Sequence, residues 1–134
     1  MKPQDIFNKA AVHLMGMEGP SLDYDSDACV YRGKDEECGF NGQMCAVGLF
    51  IADEHYYEDF EGQGITGSQL VADAVAKSWG QESLSNDQLS LLADLQNAHD
   101  HITVDRIWLK AIVVSLDSIA NKHHLRFDPK GASA

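Results

Sequence analysis

Cysteine and histidine have the widest chemical range of the residue types in this chain, and their spacing poses the first question. Cys29, Cys38, Cys45 and His55 offer three sulfurs and one nitrogen, a donor set that zinc accepts. The intervening stretches are eight, six and nine residues long. No C-x-x-C knuckle places two sulfurs on one turn, so neither a metal nor a cofactor is expected. Thiols buried as small apolar side chains fit the spacing better. A second arrangement pairs Cys45 with His99. If the segment opened by Cys45 begins a helix, its free amides would lower the thiol pKa, and His99 would serve as the base. Gln43 or Gln96 would then orient the base or donate to an oxyanion. The residue types suit thiol hydrolase chemistry, but no thiol protease signature surrounds them.

Other polar groups fall where apolar ones are expected. Between residues 86 and 100, Leu89, Leu92, Ala93 and Leu95 define an apolar helix face, and Gln96 and His99 project into it. Asp94, Asn97 and His101 point toward solvent on this spacing. A Gln and a His on a buried stripe need partners, at ~1–3 kcal/mol each if left without them. They read either as a satisfied pair clipping the middle of the chain to the helices or as a small pocket. Gly62-Gln63-Gly64-Ile65-Thr66-Gly67 spells G-x-G-x-x-G, yet the segment before it, Tyr57 to Glu61, is acidic and not a buried strand. It is therefore read as a loop opening a helix, not as a dinucleotide fingerprint. Asp23 to Asp27, and Glu54 to Glu61 with Tyr56, Tyr57 and Phe60 interleaved, combine acid with aromatic area, a common way to meet a basic partner.

The charge balance sets limits on these readings. The 134 residues carry 21 acidic and 10 basic side chains, for a net charge of −11. Direct nucleic-acid binding is not expected, because phosphate contacts need Lys and Arg. No apolar stretch approaches the ~20 residues that span a bilayer. No apolar run follows Lys2, so no signal peptide is read, and a cytoplasmic setting with reduced thiols is expected.

The elements that must position these residues follow from periodicity. A helix is expected from Pro3 to Met15, with Ile6, Ala10, Leu14 and Met17 in register. Ala28 to Arg32 alternates like a strand, Gly33 to Glu37 and Gly39 to Gln43 read as turns, and Met44 to Ile51 is a continuous apolar run. A strand-turn unit leading into a short helix is expected there, with Asp53 capping a helical turn through Tyr57. A second helix spans Ser68 to Trp79, on Leu70, Val71, Ala74, Val75 and Ser78, with Gly80 as its stop. The third runs from Asn86 to Asp100 behind a capping box of Ser85 and Gln88. The fourth follows Thr103 to about His123, with Ile102 and Ile107 at staple positions. It is apolar on most of its circumference, with Arg106, Lys110, Asp117 and Asn121 as a narrow polar stripe, and reads as the buried centre of the fold. The expected architecture is α+β and mainly helical. About four helices share one core, with a small β unit between the first two. One globular domain covers residues 1–128, and 129–134 form a frayed tail.

The block Cys29-x-Tyr31-Arg32-Gly33, then Cys45-Ala46-Val47-Gly48, then Ile51-x-Asp53 and Tyr57, resembles a family of small phage and prophage proteins. Asp94-Leu95-Gln96-x-x-His99-Asp100 resembles that family's helical segment. The resemblance covers about residues 5–62 and 90–101 and implies a source class, not an activity. The stretch Glu36 to Gln43, which carries Cys38, is longer than the family's usual turn. The resemblance also implies that Tyr31, Arg32, Cys45, Asp53, Gln96 and His99 converge between the β unit and helix three, with Arg32 and Asp53 as an ion pair.

Two functional readings result. The favoured one is a small acidic binding protein of phage type that occupies a basic surface on a host protein, with Tyr31, Arg32, Asp53, Tyr57 and Gln96 as binding residues. The alternative is a small thiol-dependent enzyme using Cys45 and His99. Helix four would also suit a homodimer interface, since core and obligate interface share a composition.

Overall fold

A computed structural model describes residues 1–19, 21, 30–34, 40–61, 64–101 and 107–129. The fold is α+β and mainly helical, in the element order α1 (Pro3–Gly16), β1 (Arg32–Lys34), β2 (Phe40–Met44), α2 (Gln69–Ser78), α3 (Asn86–Asp100) and α4 (Trp108–Lys122). Between β2 and α2 lie three single 3-10 turns, Gly48–Phe50, Asp53–His55 and Glu58–Phe60. Helices α1, α3 and α4 pack on one another. Helix α1 begins with Pro3 in its first turn and buries Ile6, Phe7, Ala10, Ala11 and Leu14 completely. Those positions repeat at three and four residues and form one stripe. It is this helix, not α4, whose apolar face is wholly enclosed.

Two ends of the helical frame follow from local chemistry. Ser85 accepts from Gln88 N–H while the Gln88 side chain accepts from Ser85 N–H, a complete capping box at the start of α3. Gly80 closes α2 with φ of 71°, and the bonds Gln81 N–H to Ala76 O and Gly80 N–H to Lys77 O form a Schellman motif. The same pair of bonds closes α4, from Leu125 to Ala120 and from His124 to Asn121. There the left-handed residue is His124, with φ of 56°. Within α2, Val71, Ala72, Ala74, Val75 and Ala76 are buried, whereas Leu70, expected on that face, is exposed.

The β unit lies further along the chain than its alternation suggests. Arg32 pairs with Met44 and Lys34 with Phe40 in an antiparallel ladder, with an irregularity between. Val30 and Tyr31 precede the strand, and Ala28 and Cys29 lie outside the described residues. Gly33-Lys34 and Phe40 to Gln43, expected as turns, are therefore strand. Backbone pairing between two neighbouring segments sets the ladder here, not side-chain alternation. After Met44 the apolar run folds as a turn and the first 3-10 turn, in keeping with a strand leading into a short helix. Asp53 does not cap the next turn. Ala52 stands at that position without a side-chain bond, and Asp53 faces Arg32 instead.

Helix α4 corrects a further expectation. Trp108, Ile112, Leu116, Ile119 and Ala120 are buried, but Ile107, Leu109 and Val114 are 74%, 51% and 68% exposed. The helix packs one face only, and Ile107, Leu109 and Val114 stand at the surface with Lys110, Asp117 and Asn121. Residues 102–106, with the expected cap and half of the staple, lie outside the described residues. Beyond α4 the chain folds back on α1. Gln4 exchanges two hydrogen bonds with the backbone of Arg126, and Phe127 meets Phe7 edge to face at 5.5 Å. Most of the expected tail, residues 130–134, also lies outside the described residues.

Candidate functional site

Two polar clusters flank the β unit. The first is built on the last turn of α3, where Gln96, His99 and Asp100 share a face at i, i+3 and i+4. His99 is completely buried. Its Nε2 accepts from Ser21 N–H at 2.8 Å, so the ring proton resides on Nδ1, which meets Asp100 Oδ1 at 2.7 Å. The same carboxylate oxygen accepts from Gln96 Nε2 at 2.6 Å, and Gln96 Oε1 accepts from Val47 N–H at 3.1 Å. The imidazole also meets Trp108 edge to face, and the Trp108 indole donates to Leu14 O at 2.7 Å. The cluster thus ties α3 to α1, to α4, to Ser21 and to the turn after β2. Both ring nitrogens of His99 are committed to this work.

Cys45 sits beside the first cluster, fully buried. Burial pushes its thiol well above the ordinary value, against the smaller opposing effect of the Gly48 and Val47 amides. The Gly48 N–H points at the sulfur at 3.3 Å. The amides expected to activate the thiol are therefore present, but removal from water outweighs them. No hydrogen bond joins Cys45 to His99. The geometry is that of a neutral core thiol. Gly48 has its own reason to be glycine: a Cβ there would overlap the carbonyl of Tyr31. Tyr31 N–H and Arg32 N–H turn instead toward the second cluster.

That second cluster holds the segment from Asp53 to Glu61. At one end, the Arg32 guanidinium meets Asp53 Oδ1 at 2.6 Å and Ile51 O at 3.3 Å, and lies 4.2 Å from the Tyr56 ring centroid. At the other, the Glu61 carboxylate accepts from Tyr31 N–H at 2.7 Å, Arg32 N–H at 3.2 Å and Tyr56 Oη at 2.6 Å. Burial, and then the bond to Glu61, raise the Tyr56 phenol above its ordinary value, which keeps it a donor. Phe60 is buried beneath the segment, and Ala52 N–H donates to Ser78 Oγ on α2. Between the clamps Glu54, Tyr57, Glu58 and Asp59 stand exposed, with the Tyr57 ring propped edge-on against Phe60 at 5.7 Å. The result is an acidic, aromatic ridge on a fixed base. The Arg32–Asp53 pair itself contributes little, because the Asp53 side chain is 94% exposed.

The six residues expected in one cluster therefore divide. Gln96 and His99 join the buried clip, Arg32 and Asp53 join the ridge, and Tyr31 and Cys45 lie between them. Tyr31 is buried, and its phenol, raised first by burial, also feels Cys45, Glu61 and Asp100. Asp94, expected toward solvent, is half-buried and accepts from Lys122 Nζ at 2.9 Å and His123 Nε2 at 2.7 Å. Cys29, Cys38, Asp23 to Asp27, and Gly62 and Gln63 of the glycine motif lie outside the described residues. His55 is half-buried, 4.0 Å from Glu54. Ser21 carries no mark in the sequence because its partner His99 is 78 residues away, and Glu61 and Tyr56 are legible there only as part of the acidic, aromatic segment. The described strands form a two-stranded antiparallel sheet, and no described helix is long and apolar enough to cross a membrane. Neither a protein-family model, a curated protein nor a solved structure matches this chain.

Proposed function

We propose that this chain is a small binding protein of phage type that uses the ridge from Asp53 to Glu61 to occupy a basic surface on a host protein. The observation that carries this reading is the Glu61 carboxylate, which accepts from Tyr31 N–H, Arg32 N–H and Tyr56 Oη, with the Arg32 guanidinium on Ile51 O, at the base of a segment whose Glu54, Tyr57, Glu58 and Asp59 are exposed. A preorganised segment loses less entropy on binding, and an exposed tyrosine supplies contact area at the centre of an acidic patch. The net charge of −11 favours encounter with a basic surface and opposes one with nucleic acid.

The test is capture from a host lysate by the immobilised full chain at low and high salt, with Tyr57→Ala and Glu54→Lys run alongside. A bound protein of basic surface should be released as salt shortens the Debye length from ~30 Å at 0.01 M to ~3 Å at 1 M. Tyr57→Ala should weaken its capture by roughly thirtyfold, the effect of ~2 kcal/mol at a hot spot. Capture that ignores salt, or that both variants retain in full, rules the ridge out as the binding face.

A further inference from the structure

The exposed side of α4 carries a second seam. Ile107, Lys110, Val114, Asp117 and Asn121 follow one another at three- and four-residue steps, the spacing of a coiled-coil face. All five are exposed, and the buried set of the same helix lies on the opposite side. Among the described residues no ion pair holds Lys110 or Asp117, and at i and i+7 they stand too far apart to meet within one helix. Ile107, Lys110 and Val114 of the seam also line a groove of about 770 Å³ between α3 and α4, together with Ala98, Ala111 and Ser118.

We infer that this face binds a second copy of the chain, α4 against α4 in antiparallel orientation about a two-fold axis at Val114. The arrangement of charge chooses this occupant. Lys110 stands four residues before Val114 and Asp117 three after it, on the same side of the seam. An antiparallel partner brings each Lys110 to within one residue's rise, ~1.5 Å along the axis, of the partner copy's Asp117. Two equivalent ion pairs then bracket a Val114–Val114 contact, as a two-fold interface requires. A parallel pair would set lysine against lysine. The seam thus complements itself in one orientation only, and it lies apart from the acidic ridge.

The experiment is sedimentation equilibrium of the full chain over a wide concentration range at ~0.15 M salt, where repulsion between two acidic copies is screened beyond ~8 Å. Wild type should show a concentration-dependent dimer. Lys110→Asp should weaken it by roughly tenfold, through two lost pairs and two new repulsions. The double variant Lys110→Asp/Asp117→Lys should recover to near the wild-type affinity. Val114→Asp should be monomeric, with circular dichroism showing the helices intact. A wild-type monomer at concentrations up to about 1 mM, or a double variant as weak as Lys110→Asp, overturns the proposal.

Discussion

The clip around His99 and the ridge from Asp53 to Glu61 use the same materials and reach opposite ends. Each centres on a carboxylate that accepts from several donors, Asp100 in one and Glu61 in the other. Each ties a segment near the β unit to a helix. In the clip, every hydrogen bond of the buried imidazole is satisfied inside the chain. In the ridge, the satisfied groups form the base, and a set of acidic and aromatic side chains is left outward. Buried polar networks define a structure when complete. A site for a partner needs a complete base and an exposed rim. By that measure His99, although the more reactive residue type, is a positioning group, and Tyr57 and Glu54 are the groups available to another molecule.

The largest expected effect tests the clip. His99→Leu removes the acceptor of Ser21 N–H and a donor to Asp100, and should lower stability by about 2–4 kcal/mol in urea unfolding. Capture of a partner by the remaining folded protein should be unchanged at low temperature. Loss of capture with unchanged stability would reverse the assignment of roles. Glu61→Gln should have the next largest effect, about 1–3 kcal/mol. Its amide keeps one acceptor where three donors converge, and its NH₂ would face one of them. Amide hydrogen exchange should quicken between residues 53 and 61 before it does so in α3. If exchange rises uniformly instead, the ridge has no clamp of its own.

How much of this could be read from the chain depends on how local each cause is. Helix α3 is legible to the residue because Ser85 and Gln88 sit within one turn of its start. Gly80 announces the end of α2 for the same reason, whereas His124 performs that task for α4 without the residue type that would reveal it. Gln96 and His99 could be marked as polar groups on a buried face, but the donors that satisfy them, Val47 and Ser21, are 49 and 78 residues away. The strand falls at Arg32–Lys34 and not on the alternating Val30-Tyr31, because its partner is Phe40 to Met44, a segment with two polar residues and a glycine that side-chain alternation does not reveal. Helix α4 misled in another way. An apolar circumference points to burial, but one face packs on the core while Ile107, Leu109 and Val114 stand exposed.

A third cluster lies between the two extremes and makes the comparison graded. Asp94 on α3 holds Lys122 and His123 at the end of α4. Burial pushes its carboxyl up, but the hydrogen bonds from His123 and Lys122 together outweigh that and leave it below the ordinary value. A carboxyl lowered in the folded state stabilises the fold above its unfolded pKa of about 3.9, and that stabilisation disappears as pH falls through the folded value. Asp94→Asn should therefore cost up to about 1 kcal/mol at neutral pH, less than either change above, because Lys122 is largely exposed. The difference between wild type and variant should stay constant down to about pH 5 and close at more acid pH. Equilibrium unfolding of both proteins along that range measures it. A difference that persists at the acid end would mean that Asp94 acts through packing and not through its charge. The gradation from clip to ridge would then follow shape more than electrostatics.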